Sequence, residues 1–544
     1  MLNQPSLRHQ AHAALAALLL VAGLLAAAGS ARAAAFVSHE VIVGYDSGSV
    51  TAATAGVETR MGVRATPAAS PRSQLLRLPR GESVAAAIAR LRHQPGVAYA
   101  EPDYIAHEAG AWYPNDRGRA RSFRGWERLQ WNLLSPAGVN APQAWFNLRA
   151  DHRPGGQGVV VAIIDTGVAY RNFQLSERQC KLEMIRPNCS FRQSPDFKGT
   201  RFVSPYDFVA NNRYPLDRNG HGTFVAGVVA EATNNGYALT GLAYGASIMP
   251  IRVLDAGGLG DEATIARGIR YAVTHGASVI NLSLEFLPSQ VSSSSDIPEI
   301  VSAIDFAHRR GVTVVGAAGN DESNVIAYPA RVKNVISVGA TTRDRCLASY
   351  SNGGTGLDLV APGGGTDAIM QNDPLCHPER SLPSIYQLTL TDPPHWDRFG
   401  YPSFYIGTSM SSPEVAATAA LVIASGVIGR RPTPDQLLAR LEQTATPLGT
   451  VTPPGTVTSP GTVTPPGTQT PPGTQTPPGT QTPPGAQTSQ GTQTSPGTET
   501  QPPTQPNQAY GYGLVNAGAA TAPIAATGST LSRPTPRRGP DARR

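Results

Sequence analysis

Three residues of this 544-residue chain have the types and settings that nucleophilic catalysis needs. Asp165 closes the apolar run Val159 to Ile164 and is followed by Thr166-Gly167. His221 lies in Asn219-Gly220-His221-Gly222-Thr223 and opens a helical stretch through Ala230. Ser409 lies in Gly407-Thr408-Ser409-Met410-Ser411-Ser412-Pro413 and opens another. A serine hydroxyl is a poor nucleophile until a base takes its proton, and a histidine held by a carboxylate is such a base. The chain order Asp, His, Ser is one of three in which this triad occurs. Each residue alone has a plainer reading: a turn-capping aspartate, a packed histidine, a helix-capping serine. Together, in these contexts, they point to acyl transfer.

Such residues need a scaffold. Val159 to Ile164, Ile248 to Val253, Val279 to Leu284, Val312 to Val315 and Val335 to Val338 are continuous apolar runs rather than alternating ones. Strands covered on both faces read this way, and their alternation with helical patterns predicts a parallel α/β sheet between helical layers. Sites in such sheets sit at the carboxyl ends of strands. Pro413 suits a first helical turn. The apolar stretch Val415 to Ile428 is too short to cross a bilayer and reads as a buried core helix. Upstream, Val41-Ile42-Val43, a helical stretch Ser83 to Arg92 and Val97-Ala98-Tyr99-Ala100 predict a small α+β module.

With these motifs in place, the sequence resembles the subtilisin-like serine proteases, or subtilases, over about 131 to 449 and again over 509 to 522. Asp165-Thr166-Gly167, His221-Gly222-Thr223 and Gly407-Thr408-Ser409-Met410-Ser411-x-Pro413 carry the resemblance. It implies a three-layer α/β fold with a mostly parallel sheet, Asp165 as orienting carboxylate, His221 as general base and acid, and Ser409 as nucleophile. Asn320, in Ala317-Ala318-Gly319-Asn320, resembles the family's oxyanion-hole amide, with the Ser409 backbone N–H as second donor. Ser283-Leu284-Glu285, Gly258 and Gly260 (around Leu259), Ala318 and Gly319 resemble its substrate walls, where an extended peptide pairs by backbone hydrogen bonds. Glu285 departs from the pattern, which has glycine there. Its charge beside the cleft would favour basic substrate side chains; a solvated glutamate on the rim is the alternative.

The module at 36–109 resembles the family's inhibitory propeptide, through Val97-Ala98-Tyr99-Ala100-Glu101-Pro102-Asp103-Tyr104-Ile105-Ala106-His107. The resemblance implies an intramolecular inhibitor removed by self-cleavage near 107–110. No cofactor is implied for the chemistry. Structural calcium is an open expectation in the loop Thr233-Asn234-Asn235-Gly236, where carbonyls and an asparagine offer oxygen, against an ordinary Asn-Gly turn. The expected partners are protein or peptide substrates, with the mature enzyme a monomer.

Composition completes the expectations. Arg8, the apolar run Ala13 to Ala28 and the small residues Ala31 to Ala35 predict a signal peptide over 1–35, hence a secreted or periplasmic protein without a stable membrane anchor. In an oxidising compartment Cys180, Cys189, Cys346 and Cys376 suggest disulfides; 180–189 and 346–376 are the simplest of three pairings, with metal binding a weaker rival lacking CxxC. A basic linker is expected over 110–130, the catalytic domain over 131–450, and a closing segment over 509–525. Between them, 451–508 repeats with period six, as in Thr464-Pro465-Pro466-Gly467-Thr468-Gln469, and reads as an extended spacer inserted in the domain. A basic disordered tail is expected over 526–544. The net charge of +6 is mild, and the arginines at 117 to 128 and 533 to 544 read as solvated, flexible segments; nucleic acid is not an expected partner. Three rivals fit less well. An aspartic protease needs two paired D-[ST]-G motifs, and the second, Asp46-Ser47-Gly48, lies in the N-terminal module. A non-catalytic binding protein leaves the triad unexplained, and an esterase needs G-x-S-x-G.

Overall fold

The computed structural model describes residues 36–46, 64–67, 72–79, 81–104, 110–119, 124–182, 189–370, 375–393, 395–449 and 506–524. The expected signal peptide, most of the spacer, the self-cleavage point and the basic tail lie outside these residues. The chain forms two units: residues 1–126 with Asn234–Ala238, and residues 127–233 with 239–544.

In the first unit β1 (Phe36–Tyr45), β2 (Arg64–Pro67), β3 (Ser73–Arg77) and β4 (Val97–Tyr104) form an antiparallel sheet in the order β2-β3-β1-β4. Alternate residues Val41, Val43 and Tyr45 of β1 point into one core with Leu76 and Ala100, as a sheet with one buried face requires. Helix α1 (Val84–Leu91) closes that face through Val84, Ala87 and Leu91. Its start is set by Ser83, whose Oγ accepts from the Ala86 N–H at 3.2 Å. This is the expected α+β module.

The basic linker is more ordered than its composition predicts. Trp112 and Trp126 are buried, and the Trp126 indole donates to the Pro114 carbonyl at 3.0 Å. Arg124, expected to be solvated, is 5% exposed, with its guanidinium 4.0 Å above the Tyr113 ring. Stacking on an aromatic face lets a guanidinium leave water at low cost.

The second unit holds eight parallel strands among the described residues. After α2 (Ala141–Ala150) come β5 (Val160–Asp165), β6 (Arg201–Phe202), β7 (Tyr206–Asp207), α3 (His221–Ala230), β8 (Ser247–Arg252), α4 (Glu262–Thr274), β9 (Val279–Leu282), α5 (Pro298–Arg309), β10 (Thr313–Ala317), β11 (Val335–Thr341), β12 (Leu359–Pro362), α6 (Thr408–Ser425) and α7 (Pro434–Thr444). The order is β12-β11-β10-β9-β5-β8-β6, with β7 also on β8. All five predicted apolar runs are strands here, and β8, β9, β10 and β11 are buried along their whole length. On one face Ile265 and Ile269 of α4 and Ile300 and Ile304 of α5 pack on Ile251, Ile280 and Val314. α3 and α6 cover the other face. β5 has β8 on one side and β9 on the other, so the strand order reverses at β5 and a crevice opens beyond its carboxyl end.

Candidate active site

Asp165 is the last residue of β5, at that crevice, and is fully buried. Its Oδ1 accepts from the Thr166 N–H at 2.7 Å, and its carbonyl accepts from Val253 and Leu254. His221 is the first residue of α3, and its Nδ1 lies 2.8 and 3.0 Å from the two Asp165 oxygens. The histidine side chain keeps 24% of its surface exposed while the aspartate keeps 1%. Burial disfavours the imidazolium, but the charge and hydrogen bond of Asp165, with the charge of Asp217, outweigh it and raise the His221 pKa.

A buried residue without a place in the sequence reading holds this junction together. Asp217 accepts from the backbone N–H groups of Asn219, Gly220 and Thr223 at 2.9 Å each, and from the Thr166 and Thr223 hydroxyls. It therefore builds the turn into α3 and ties it to the loop after β5. An aspartate four residues before a helix-opening histidine was its only signal. Gly222 is required by that contact: a Cβ there would meet the Gly167 carbonyl oxygen at 2.1 Å.

Ser409 is the second residue of α6, after Gly407 at φ 142°, a value that favours glycine. At this helix position its N–H has no intrahelical acceptor. Its Oγ lies 3.4 Å from the Ser283 carbonyl, and its own carbonyl accepts from the Ser283 hydroxyl at 2.8 Å. The Asn281 amide donates to Ser283 Oγ at 2.9 Å and accepts from the Ser412 hydroxyl at 2.7 Å. This network locks the end of β9 to the start of α6. Asn320 follows β10, and its Oδ1 accepts from the Thr408 N–H at 2.8 Å and the Thr408 hydroxyl at 3.2 Å. The orientation of the amide is thereby set, leaving Nδ2 as a donor, which bonds to the Glu285 carboxylate at 3.1 Å.

His221, Ser409, Thr166, Gly258, Gly260, Ser283, Leu284 and Glu285 line one cavity of about 510 Å³. Both expected wall segments are brought together there. Ala318 is not: it is fully buried beside Ile326 and Val360. Gly319 lies behind the Glu285 carboxylate, which bonds to Asn320 rather than standing free on the rim. Burial raises the Glu285 pKa; the Asn320 side-chain bond opposes this and Asp321 adds to it.

The cysteines pair 180 with 189 and 346 with 376, the simplest arrangement. In the loop expected to hold calcium, Asn234 Oδ1 accepts from the Asn115 N–H and Asn235 Oδ1 from the Tyr237 N–H. The Asn234 and Asn235 backbone N–H groups donate to the Asp116 carboxylate at 2.8 and 2.9 Å. The Asn234 and Asn235 side-chain oxygens of this loop are thus engaged by backbone N–H donors. Among the described residues no group of three His, Cys, Asp or Glu is placed to hold one.

A model of the subtilase family matches residues 156–513, and a model of the fervidolysin N-terminal prodomain matches residues 25–103. The chain is 33% identical over 392 residues to the thermophilic serine proteinase of Bacillus sp. (strain AK1), spanning 72% of this chain and 79% of that protein. It is 32% identical over 291 residues to thermitase of Thermoactinomyces vulgaris, spanning 54% of this chain and 82% of thermitase. Over 321 residues it is 32% identical to Subtilisin Savinase of Lederbergia lenta, 58% of this chain and 93% of that protein.

Proposed function

The chain belongs to the subtilase family and is a serine endopeptidase with an N-terminal prodomain, and from that premise we propose that it is a secreted, self-processing preproenzyme acting through Asp165, His221 and Ser409. The observation that carries this reading is the contact of buried Asp165 with His221 at 2.8 Å, where His221 lines a cavity that Ser409 also lines. His221 Nε2 takes the Ser409 proton as Oγ attacks the substrate carbonyl; Asp165 holds Nδ1–H and stabilises the imidazolium that forms. The tetrahedral oxyanion is met by Asn320 Nδ2 and the Ser409 N–H, donors of the kind whose loss costs about 10²–10³ in kcat. The imidazolium then protonates the leaving amine, and water reverses the sequence on the acyl-enzyme.

In this reading residues 1–35 direct export and 36–109 inhibit the enzyme until they are cut away. Residues 131–450 with 509–525 form the catalytic domain, interrupted by the spacer. The test compares the purified secreted protein with Ser409→Ala by gel, N-terminal sequencing and casein digestion with and without phenylmethylsulfonyl fluoride. The expected result is loss of the N-terminal module and inhibitable digestion in the wild type alone. Retention of the module by both, without cleavage of casein, would sink the proposal.

A further inference from the structure

Glu285 stands on the donor that the oxyanion needs. Its Oε1 accepts from Asn320 Nδ2 at 3.1 Å and its Oε2 from the Asn320 N–H at 3.3 Å. The carboxylate thus bridges the ends of β9 and β10 inside the substrate cavity. A Cβ on Gly319 would lie 2.6 Å from Oε2, so the carboxylate rests against bare backbone. A negative group there occupies the donor in the resting enzyme and opposes the negative charge that develops during reaction. One of the two must move. Asn320 is held by both donors of Thr408, whereas the bonds to Asn320 tether only the end of the Glu285 side chain. The mobile partner is Glu285.

What displaces it follows from chemistry. Asn320 offers neutral N–H donors, and the neighbouring Asp321 repels the carboxylate. A cationic side chain entering between Ser283–Glu285 and Gly319 offers an ion pair instead. A neutral side chain offers nothing in exchange. Resting on the peptidase reading above, we infer that Glu285 is a substrate-operated gate: a lysine or arginine on the acyl side of the scissile bond draws its carboxylate off Asn320, so the enzyme is selective for basic residues at that position.

The test uses the purified secreted protein and peptide p-nitroanilides that differ only in the residue before the scissile bond, lysine or leucine. Wild type is expected to favour lysine by at least about tenfold in kcat/KM. Glu285→Gly vacates the donor and removes the charge, so leucine turnover rises about tenfold while lysine turnover falls. Glu285→Gln keeps an acceptor on Asn320 without the charge, so the lysine preference is lost and leucine turnover stays low. A role confined to folding would change both substrates in parallel. Phenylmethylsulfonyl fluoride labelling of Ser409, read by mass spectrometry, separates the two ways of failing. A labelled enzyme whose lysine-to-leucine ratio is the same in wild type and Glu285→Gly overturns the gate alone. An unlabelled Ser409 with no peptide cleaved overturns the peptidase reading and the gate with it.

Discussion

At His221 burial and charge pull in opposite directions, and the balance sets a pH profile. Burial favours the neutral ring, while Asp165 and Asp217 favour the imidazolium and prevail. Catalysis needs the neutral form, so kcat/KM should rise with pH along a limb centred above the ordinary histidine value of about 6.5. Asp165→Asn removes the strongest opposing charge and leaves the burial. Its limb should move to lower pH, and kcat should fall by about 10⁴ because the wrong tautomer is held. Steady-state kinetics from pH 5 to 10 check both; an unmoved limb would mean that Asp165 does not set the charge of His221. Asp165, His221 and Ser409 were legible because each sits in a distinctive local string. Asp217 was not, because its importance lies in donors gathered from Thr166, fifty-one residues away, as well as from its own turn.

α6 illustrates the element scale. It is buried on nearly every side, as its apolar sequence implies, and against β9 to β12 it fixes where Ser409 stands. Yet it contains Glu414, fully buried and bonded through Oε1 to the Asn132 amide at 2.7 Å. Burial drives the Glu414 pKa well above the ordinary range, with Asn132 opposing. An acid whose pKa is raised on folding binds its proton more tightly in the native state. Stability is therefore full below the unfolded value of about 4.3 and is lost as pH rises through the folded one. Glu414→Gln keeps the acceptor for Asn132 and cannot ionise, so it should flatten this alkaline loss. Thermal melts of Ser409→Ala with and without Glu414→Gln, from pH 4 to 9, measure it without self-digestion; parallel curves would refute it. The predicted runs matched their strands because covered parallel strands are apolar throughout, whereas nothing in the local pattern marks which acidic residue will be sealed inside a helix.

For the whole molecule, the spacer poses the main question of how one domain survives an interruption. Thr446, just beyond α7, exchanges backbone hydrogen bonds with Leu514 at 2.8 and 2.9 Å, and the Val515 N–H donates to Val360 of β12 at 2.9 Å. Tyr510 is buried beside Leu448. The chain thus resumes the same domain close to where it left it. Closure entropy grows only logarithmically with loop length, so shortening the spacer changes stability by about 1 kcal/mol. Deletion of 458–499 should leave casein activity near that of wild type and shift Tm by no more than about 4 °C. Calorimetry with the casein assay tests this, and loss of the folded transition would show that the spacer has a structural task.

The sequence by itself determined the parallel sheet and singled out Asp165, His221 and Ser409 as candidates for the chemistry. These rest on local patterns, on apolar runs and on motifs whose members are neighbours in the chain. Tertiary structure alone decided that the Asn234 and Asn235 backbone N–H groups donate to Asp116, and that Ala318 lies in the core. It also decided that the Glu285 carboxylate reaches Asn320, thirty-five residues away. Such contacts depend on where a side chain points once separate strands are laid side by side, and no periodicity along the chain encodes that direction.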